Sequence, residues 1–377
     1  MFPTWRLIVV TIAGAFGTSF QMGCSVYVLN QPAAVLKRFV NNSYQHQYQE
    51  HLSIMSHEEM NAFWSVYNSM FFAGLLIANV FFTERLLDNW GRVASIYAAI
   101  AACFFGNMLQ VFTYSLQYYQ LLILGTETGW PILFLYQALV ALAAAGVMLC
   151  TAVETPKYIL YKTQDEEKTI ASLRYYHGEQ DEKKEAEILN NLRKETRQEA
   201  GNATFFQLIR NPDNQLPLSI ILAAAVFLVF DCNIILASSS TTIVKDLGFK
   251  ESTAQLATIS MTVTELVFGI ISVFLIDSWG RRPLLYIVCI GVCTTLCGLF
   301  VCVFLVGLTG DRSFGFPVFG LLILHSVSRN LGGQKVCFLL ETEVFTTECR
   351  ATASCIRSVT QDVLNLFALM LPFLPLR

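Results

Sequence analysis

Several ionisable residues lie inside long apolar stretches of this sequence. Among them are Asp231, Glu265, Arg329 and Lys335. Charged side chains at membrane depth are costly, so such residues usually bind a solute, carry protons or pair with one another. Glu265 with Lys335 predicts a site for a charged or zwitterionic solute, or for proton coupling through the carboxyl group. A structural pair that holds the carboxy-terminal half together is the alternative interpretation.

The apolar stretches that contain these residues are long enough to be transmembrane helices. A helix needs roughly 20 apolar residues to cross a bilayer, and the alternating pattern of barrel strands is missing. The predicted spans are 7–30, 62–83, 93–115, 130–152, 216–237, 256–276, 284–307, 314–340 and 358–376. Gly332 and Gly333 predict a break in the eighth of them.

The composition agrees with this interpretation, because 54% of the 377 residues are hydrophobic and only 14% are charged. Soluble domains are nearer one quarter charged. The sequence therefore predicts an all-α polytopic membrane protein with about nine transmembrane helices.

A short charged turn is found between two spans in each half of the chain. Asp277–Pro283 reads D-S-W-G-R-R-P, and Asp88–Arg92 reads D-N-W-G-R. Such turns cannot lie in hydrocarbon, where their charges and open backbone groups would have no partners. They are expected at a membrane surface, and their repetition indicates two related helical bundles.

Basic residues predict the orientation. The polar insert 153–213 carries ten Lys and Arg, which places it, the N-terminus and both turns in the cytoplasm. We therefore predict an amino-terminal bundle (1–152), a cytoplasmic helical insert (153–213) and a carboxy-terminal bundle (214–377). The exoplasmic loop 31–61 contains a sequon at Asn41 and so a candidate glycosylation site, whereas the sequon at Asn202 would face the cytosol unmodified.

Several motifs, in this order, resemble those of the sugar porter branch of the major facilitator superfamily, which includes the facilitative glucose and fructose transporters. The matching stretches are Gln21–Gly23, Asn30–Pro32, Phe63–Ser65, Asp88–Arg92, Trp130–Pro131, Glu154–Lys157, Asp277–Pro283 and Glu343–Phe345 with Arg350. The resemblance covers nearly the whole chain and implies two bundles around a central cavity, with alternating access by rocking of the halves.

The resemblance also implies a set of solute-binding residues. Gln21, Asn233 and Asn365 match polar contacts of the family, and Glu265 matches a cavity-facing Asn. With Lys335, these are the predicted substrate ligands. The family's paired Gln is replaced by Phe227 and Leu228, which removes hydrogen-bond partners from an ordinary hexose site.

The charged turns match a network that holds one conformation of the family's transporters. Its members here are Asp88, Gly91, Arg92, Glu154, Asp277, Gly280, Arg281, Arg282, Glu343 and Arg350. The alternative is that these residues simply mark the cytoplasmic boundary.

Compared with the family, the chain lacks most of the fourth span and all of the fifth between Leu121 and Gly125, and it stops within the eleventh. Two hypotheses follow. The chain is a facilitative or proton-coupled transporter of a small organic solute, a hexose or another polar or charged molecule. Alternatively, it is a non-transporting relative or truncated isoform that acts as a sensor or a partner-binding membrane protein.

The sequence contains no signature of an enzyme, a cofactor site or a metal site, and no Walker or Rossmann motif. We therefore expect no catalytic residues, cofactors or nucleic-acid partner, and a position in the lipid bilayer of the plasma membrane. The oligomeric state stays open.

Overall fold

The chain is all-helical in the part that its computed structural model describes, namely residues 4–27, 40, 41, 44, 56–82, 89–116, 130–178, 182–199, 205–310, 313 and 315–370. The first five helices are α1 (Trp5–Gly17), α2 (Ser19–Tyr27), α3 (His57–Ile77), α4 (Arg92–Leu116) and α5 (Trp130–Thr151). A short π-helix, Ala78–Phe82, extends α3.

The described part of the predicted insert contains four helices, α6 (Pro156–Thr163), α7 (Glu166–His177), α8 (Glu182–Glu199) and the short α9 (Phe205–Arg210). The remaining helices are α10 (Pro212–Phe230), α11 (Asn233–Asp246), α12 (Glu251–Trp279), α13 (Arg281–Thr309), α14 (Gly315–Asn330), α15 (Gly333–Val344) and α16 (Thr347–Met370).

Seven helical segments of the described chain are long and apolar enough to cross a membrane. They are Trp5–Ser25, Ala62–Phe82, Arg92–Leu109, Phe134–Thr151, Pro212–Leu236, Ser252–Trp279 and Arg281–Thr309. Each coincides with one of the nine predicted stretches. Their outer surfaces carry large exposed apolar side chains, among them Phe105, Leu149, Phe274 and Phe300, as expected for helices that face lipid.

The other two predicted spans have a different form. The stretch 314–340 consists of α14 and α15, interrupted at Leu331 and Gly332, so the break predicted from the glycine pair is confirmed. The stretch 358–376 begins inside α16, and its residues after Met370 lie outside the described part of the chain.

The chain divides into two compact units. The amino-terminal unit contains Met1–Val28 and Pro32–Asn202, and the carboxy-terminal unit contains Ala203–Leu371. The first unit thus includes α6, α7 and α8. The three-part division at residues 152 and 213 stays a prediction.

Each unit has its own apolar core. In the amino-terminal unit α5 packs against α1 and α4, around Ala13, Ile100, Ala141 and Met148. In the carboxy-terminal unit α14 packs against α12 and α13, and α10 packs against α16. These two cores position the polar residues described next.

Candidate functional site

Two of the predicted membrane-depth charges form a buried ion pair in the carboxy-terminal unit. Arg329 Nε lies 2.7 Å from Asp231 Oδ2, with side chains 13% and 1% exposed. Asp231 lies between α10 and α11, and Arg329 is the penultimate residue of α14. The pair therefore joins two spans at the points where both are interrupted.

Each member of this pair also spans its own helix break. Asp231 Oδ1 accepts a hydrogen bond from the backbone N–H of Asn233, the first residue of α11, at 2.9 Å. The negative charge of this carboxylate is also stabilised by the positive N-terminal end of the α11 dipole. Arg329 Nη2 donates to Gln334 Oε1 of α15 at 3.4 Å. Four helices are thus connected through one pair of charges.

Lys335 contacts α12 in the same unit. Its Nζ donates to the carbonyl oxygen of Gly269 and, at 2.5 Å, to Ser272 Oγ. Glu265 is half-buried one turn before Gly269 on α12. The structure thus places Lys335 against α12, near the turn that carries Glu265, and the role of both residues in solute binding stays a prediction.

The three predicted amide ligands are all buried. Asn233 begins α11 and Asn365 lies in α16, in the carboxy-terminal unit. Gln21 lies in α2 of the amino-terminal unit, where its Nε2 donates to the backbone carbonyl of Gln137 on α5 at 3.0 Å. Buried amides of this kind are the groups that recognise polar solutes in apolar sites.

Sequence reasoning missed a second buried ion pair, between Glu341 of α15 and Arg357 of α16. Ser354 Oγ donates to Glu341 Oε2 at 2.6 Å, and the Arg357 guanidinium lies 4.4 Å from the centroid of the Phe338 ring. A recognisable signal was Glu341, two residues before the acidic motif at Glu343, in an otherwise apolar stretch.

The turn before α4 is closed by Glu154. Its Oε1 accepts from the backbone N–H of Arg92 at 3.1 Å, and its Oε2 accepts from that of Val93 at 3.3 Å. A carboxylate at a helix N-terminus is stabilised by the free N–H groups and the helix dipole. Gly91 has a φ of +92°, and a Cβ there would lie 2.8 Å from Glu154 Oε2. Both the backbone and the space therefore require glycine.

Helices α6 and α7 of the insert hold this turn and the end of α5. Tyr158 of α6 donates to the carbonyl of Asn89 at 3.1 Å, and Ser172 of α7 donates to the carbonyl of Glu154 at 2.7 Å. The Tyr176 hydroxyl bonds to the carbonyl of Val153, and burial raises the pKa of Tyr176.

The corresponding turn of the carboxy-terminal unit is held by side chains. Arg281 donates through Nε and Nη2 to Glu343 Oε1, at 3.0 and 2.7 Å, and the two side chains are 36% and 42% exposed. Gly280 has a φ of +82°. Arg350 Nη2 donates to the carbonyl of Phe345 at 3.4 Å. Described contacts of the predicted network are thus found within each unit, and the network itself stays a prediction.

The remaining predicted residues are placed as follows. Asp277 and Arg282 are exposed at the facing ends of α12 and α13. Asn41 is half-buried, whereas Asn42 and Ser43 of its sequon lie outside the described residues, as does Asp88.

Membrane-length helices that bury charges and amides, with charged turns at their ends, define a multi-pass integral membrane protein. The sequence profile of the family described as "Sugar (and other) transporter" matches residues 10–126 and 118–374. The chain therefore belongs to this family of membrane transporters, within the major facilitator superfamily. This membership favours the transport hypothesis over a non-transporting relative.

Individual relatives agree along almost the whole chain. Human facilitated glucose transporter member 7 is 27% identical over 413 aligned positions, covering 92% of this chain and 77% of the relative. Horse facilitated glucose transporter member 5 is 25% identical over 430, covering 98% and 83%. A partially occluded inward-open structure of the Escherichia coli xylose transporter superposes with a TM-score of 0.74 at 14% identity, covering 99% of this chain and 92% of that one. The last comparison shows the major facilitator fold.

Proposed function

We propose that this protein carries a small hydroxyl-bearing solute, such as a hexose, across a membrane by alternating access. Transport proceeds down the solute gradient or together with a proton. The observation that carries this proposal is the burial of Gln21 and Asn233 inside segments of membrane length, and of Asn365 in α16. The names of the two glucose-transporter relatives support the solute class.

Glu265 and Lys335 are proposed to lie on the solute path. Lys335 is held by the carbonyl of Gly269 and the hydroxyl of Ser272, so its charge is stabilised at the α12–α15 contact. A carboxylate one turn away can then receive a solute proton or a polar solute group, as intramembrane charges of transporters do.

The two charged turns are proposed to bias the conformational cycle. Glu154 at the α4 N-terminus and the Arg281–Glu343 pair are both near the aqueous surface. Each contributes about 1 kcal/mol or less, so the network acts through the sum of its contacts. The insert helices and both turns are placed on the cytoplasmic side of a plasma membrane, and no enzymatic activity or cofactor is proposed.

The chain is proposed to be a shortened member of its family. The alignment with the human relative has 413 positions and includes 92% of the 377 residues of this chain, which is about 347 residues. About 66 aligned positions therefore have no residue of this chain. The two family matches overlap at residues 118–126, the stretch that contains Leu121–Gly125. This supports an omission there, about the length of two spans with their loops.

The test is uptake by proteoliposomes that contain the purified chain. Radiolabelled D-glucose, D-fructose and D-xylose are the neutral probes, D-glucuronate is a charged probe, and empty vesicles give the background. We expect saturable uptake of a neutral probe, and we expect Glu265→Gln to abolish this uptake. Glu187→Gln, on the exposed face of α8, is the control and should leave the uptake unchanged. Uptake of D-glucuronate alone would reassign the solute class, and no uptake of any probe by monodisperse protein would contradict transport.

A further inference from the structure

Two buried amide oxygens of helices α2 and α5 have no partner among the described residues. They are Oε1 of Gln21 and Oε1 of Gln137, and these two residues are only 1% and 3% exposed. Gln21 Nε2 donates to the backbone carbonyl of Gln137. A carbonyl only accepts hydrogen bonds, so this contact fixes which end of the Gln21 amide is the NH₂ group and turns its oxygen elsewhere.

A third buried amide lies at the same level. Helices α4 and α5 are antiparallel neighbours, and the side chains of Ile100 and Ala144 both lie against Gly17. Seven residues further along α4 is Asn107, and seven residues back along α5 is Gln137. Asn107 is also buried, and the seven-residue spacing puts it on the face of α4 that carries Ile100 and puts Gln137 on the face of α5 that carries Ala144.

Gln21, Asn107 and Gln137 lie beyond one shared contact level. From Gly17, against which Ile100 and Ala144 lie, Gln21 is four residues further along the chain, and Asn107 and Gln137 are seven residues from Ile100 and Ala144. At about 1.5 Å per residue, the three lie roughly 6 to 11 Å on the same side of that level. We call Gln21, Asn107 and Gln137 the amide layer.

In the described part of the chain, the helices α1–α5 are uncharged beyond their first turns. Within the described parts of α1–α5, Asp, Glu, Lys, Arg and His occur only in the first turns of their helices, at Arg6, His57, Glu58, Glu59 and Arg92. An ammonium group would therefore lose its hydration without gaining a countercharge. Neutral hydroxyl groups are the donors that suit two unpaired amide oxygens, because buried acceptors left without a donor are unfavourable.

We infer that the amide layer is a binding subsite for the hydroxyl groups of a neutral sugar or polyol, and that Gln137 is a specificity-determining residue in it. This inference rests on the proposed transport function and names a part of its binding site. Gln137 then contributes to recognition through its side-chain oxygen and, through its backbone carbonyl, positions Gln21.

The test compares Gln137→Leu with wild type in proteoliposome uptake and in thermal unfolding of the detergent-purified chain. Because leucine removes an unpaired buried polar group, we expect an unchanged or higher melting temperature together with at least a ten-fold higher KM for the best neutral hexose. The matched control is Asn68→Leu, since the Asn68 amide donates to the carbonyl of Trp64 on its own helix at 2.9 Å. Its KM should equal that of wild type.

A series of monodeoxyhexoses extends the test to the ligand. Wild type should lose affinity for one deoxy position, and Gln137→Leu should no longer distinguish that sugar from its parent. An unchanged KM in Gln137→Leu, with wild-type uptake intact, would overturn the subsite and leave the proposed function standing.

Ligand-induced thermal stabilisation separates the two proposals. If wild type shows no uptake but hexose stabilises it, and Gln137→Leu or Gln21→Leu abolishes that shift, the subsite is supported and transport is not. If hexose neither enters nor stabilises the wild-type protein, both proposals fail.

Discussion

Neutralising one member of the Asp231–Arg329 pair should destabilise the carboxy-terminal unit strongly. Asp231→Asn keeps an oxygen that can accept from the Asn233 N–H, so the change removes the charge while preserving the contact that begins α11. It leaves the guanidinium of Arg329 almost buried, with the neutral Gln334 amide 3.4 Å away. Removing one partner of a buried ion pair costs about 3–5 kcal/mol.

The size of the effect can be measured by thermal unfolding of the purified chain in detergent. For a unit of this length, about 3–5 kcal/mol corresponds to a fall in melting temperature of roughly 6 to 20 °C. Asp231→Ala should cost about 1 kcal/mol more than Asp231→Asn, because it also removes the cap of α11. Glu343→Gln in the exposed pair with Arg281 is the matched control, with an expected loss of about 1 kcal/mol or less.

The double variant decides whether the two charges act on each other. Asp231→Asn with Arg329→Gln leaves no unpaired charge and should recover most of the lost stability, giving a large coupling in a double-mutant cycle. If the double variant is as unstable as the sum of the single variants, the pair is not coupled and the reasoning from its close contact is refuted.

Three further outcomes follow from the turns and the insert. Gly91→Ala should cost about 2 kcal/mol in thermal unfolding, more than Gly280→Ala, since both have positive φ but only the first would meet a carboxylate; equal losses would contradict the steric argument. Tyr176→Phe should cost about 1 kcal/mol, measured as faster proteolysis of α7. The hydrogen bond from Lys168 lowers the pKa of Asp165. Hydrogen-exchange protection of α7 should therefore be complete above the ordinary aspartate pKa and should fall as the pH drops through the lowered pKa. In Asp165→Asn this dependence of the protection on pH should disappear.

The transmembrane helices were largely predictable because their signal is local. The stretch predicted as 93–115 is α4 (Arg92–Leu116), and 284–307 lies within α13 (Arg281–Thr309). Length and apolar composition decide such elements within a single window. The glycine pair at 332 and 333 likewise predicted the break between α14 and α15.

The pairing of side chains was not predictable, because it depends on contacts between distant parts of the chain. Asp231 and Arg329 are 98 residues apart, and the predicted continuous span 216–237 hid the interruption at which Asp231 lies. The sequence puts Glu154 in a network of charged residues, and its carboxylate accepts hydrogen bonds from the backbone N–H groups of Arg92 and Val93. A carboxylate accepts hydrogen bonds from arginine side chains and from backbone N–H groups alike. Only the side chains can be read from the sequence, so the backbone donors could not be predicted.

The carboxylate cap on α4 has a consequence for how freely its residues can vary. Glu154 binds the main chain of residues 92 and 93, so substitutions of those two side chains leave its two hydrogen bonds intact. Proline is the exception at both positions, because it removes the N–H donor. In a saturation-mutagenesis library scored by surface expression, positions 92 and 93 should accept most amino acids, whereas positions 91 and 154 should accept few.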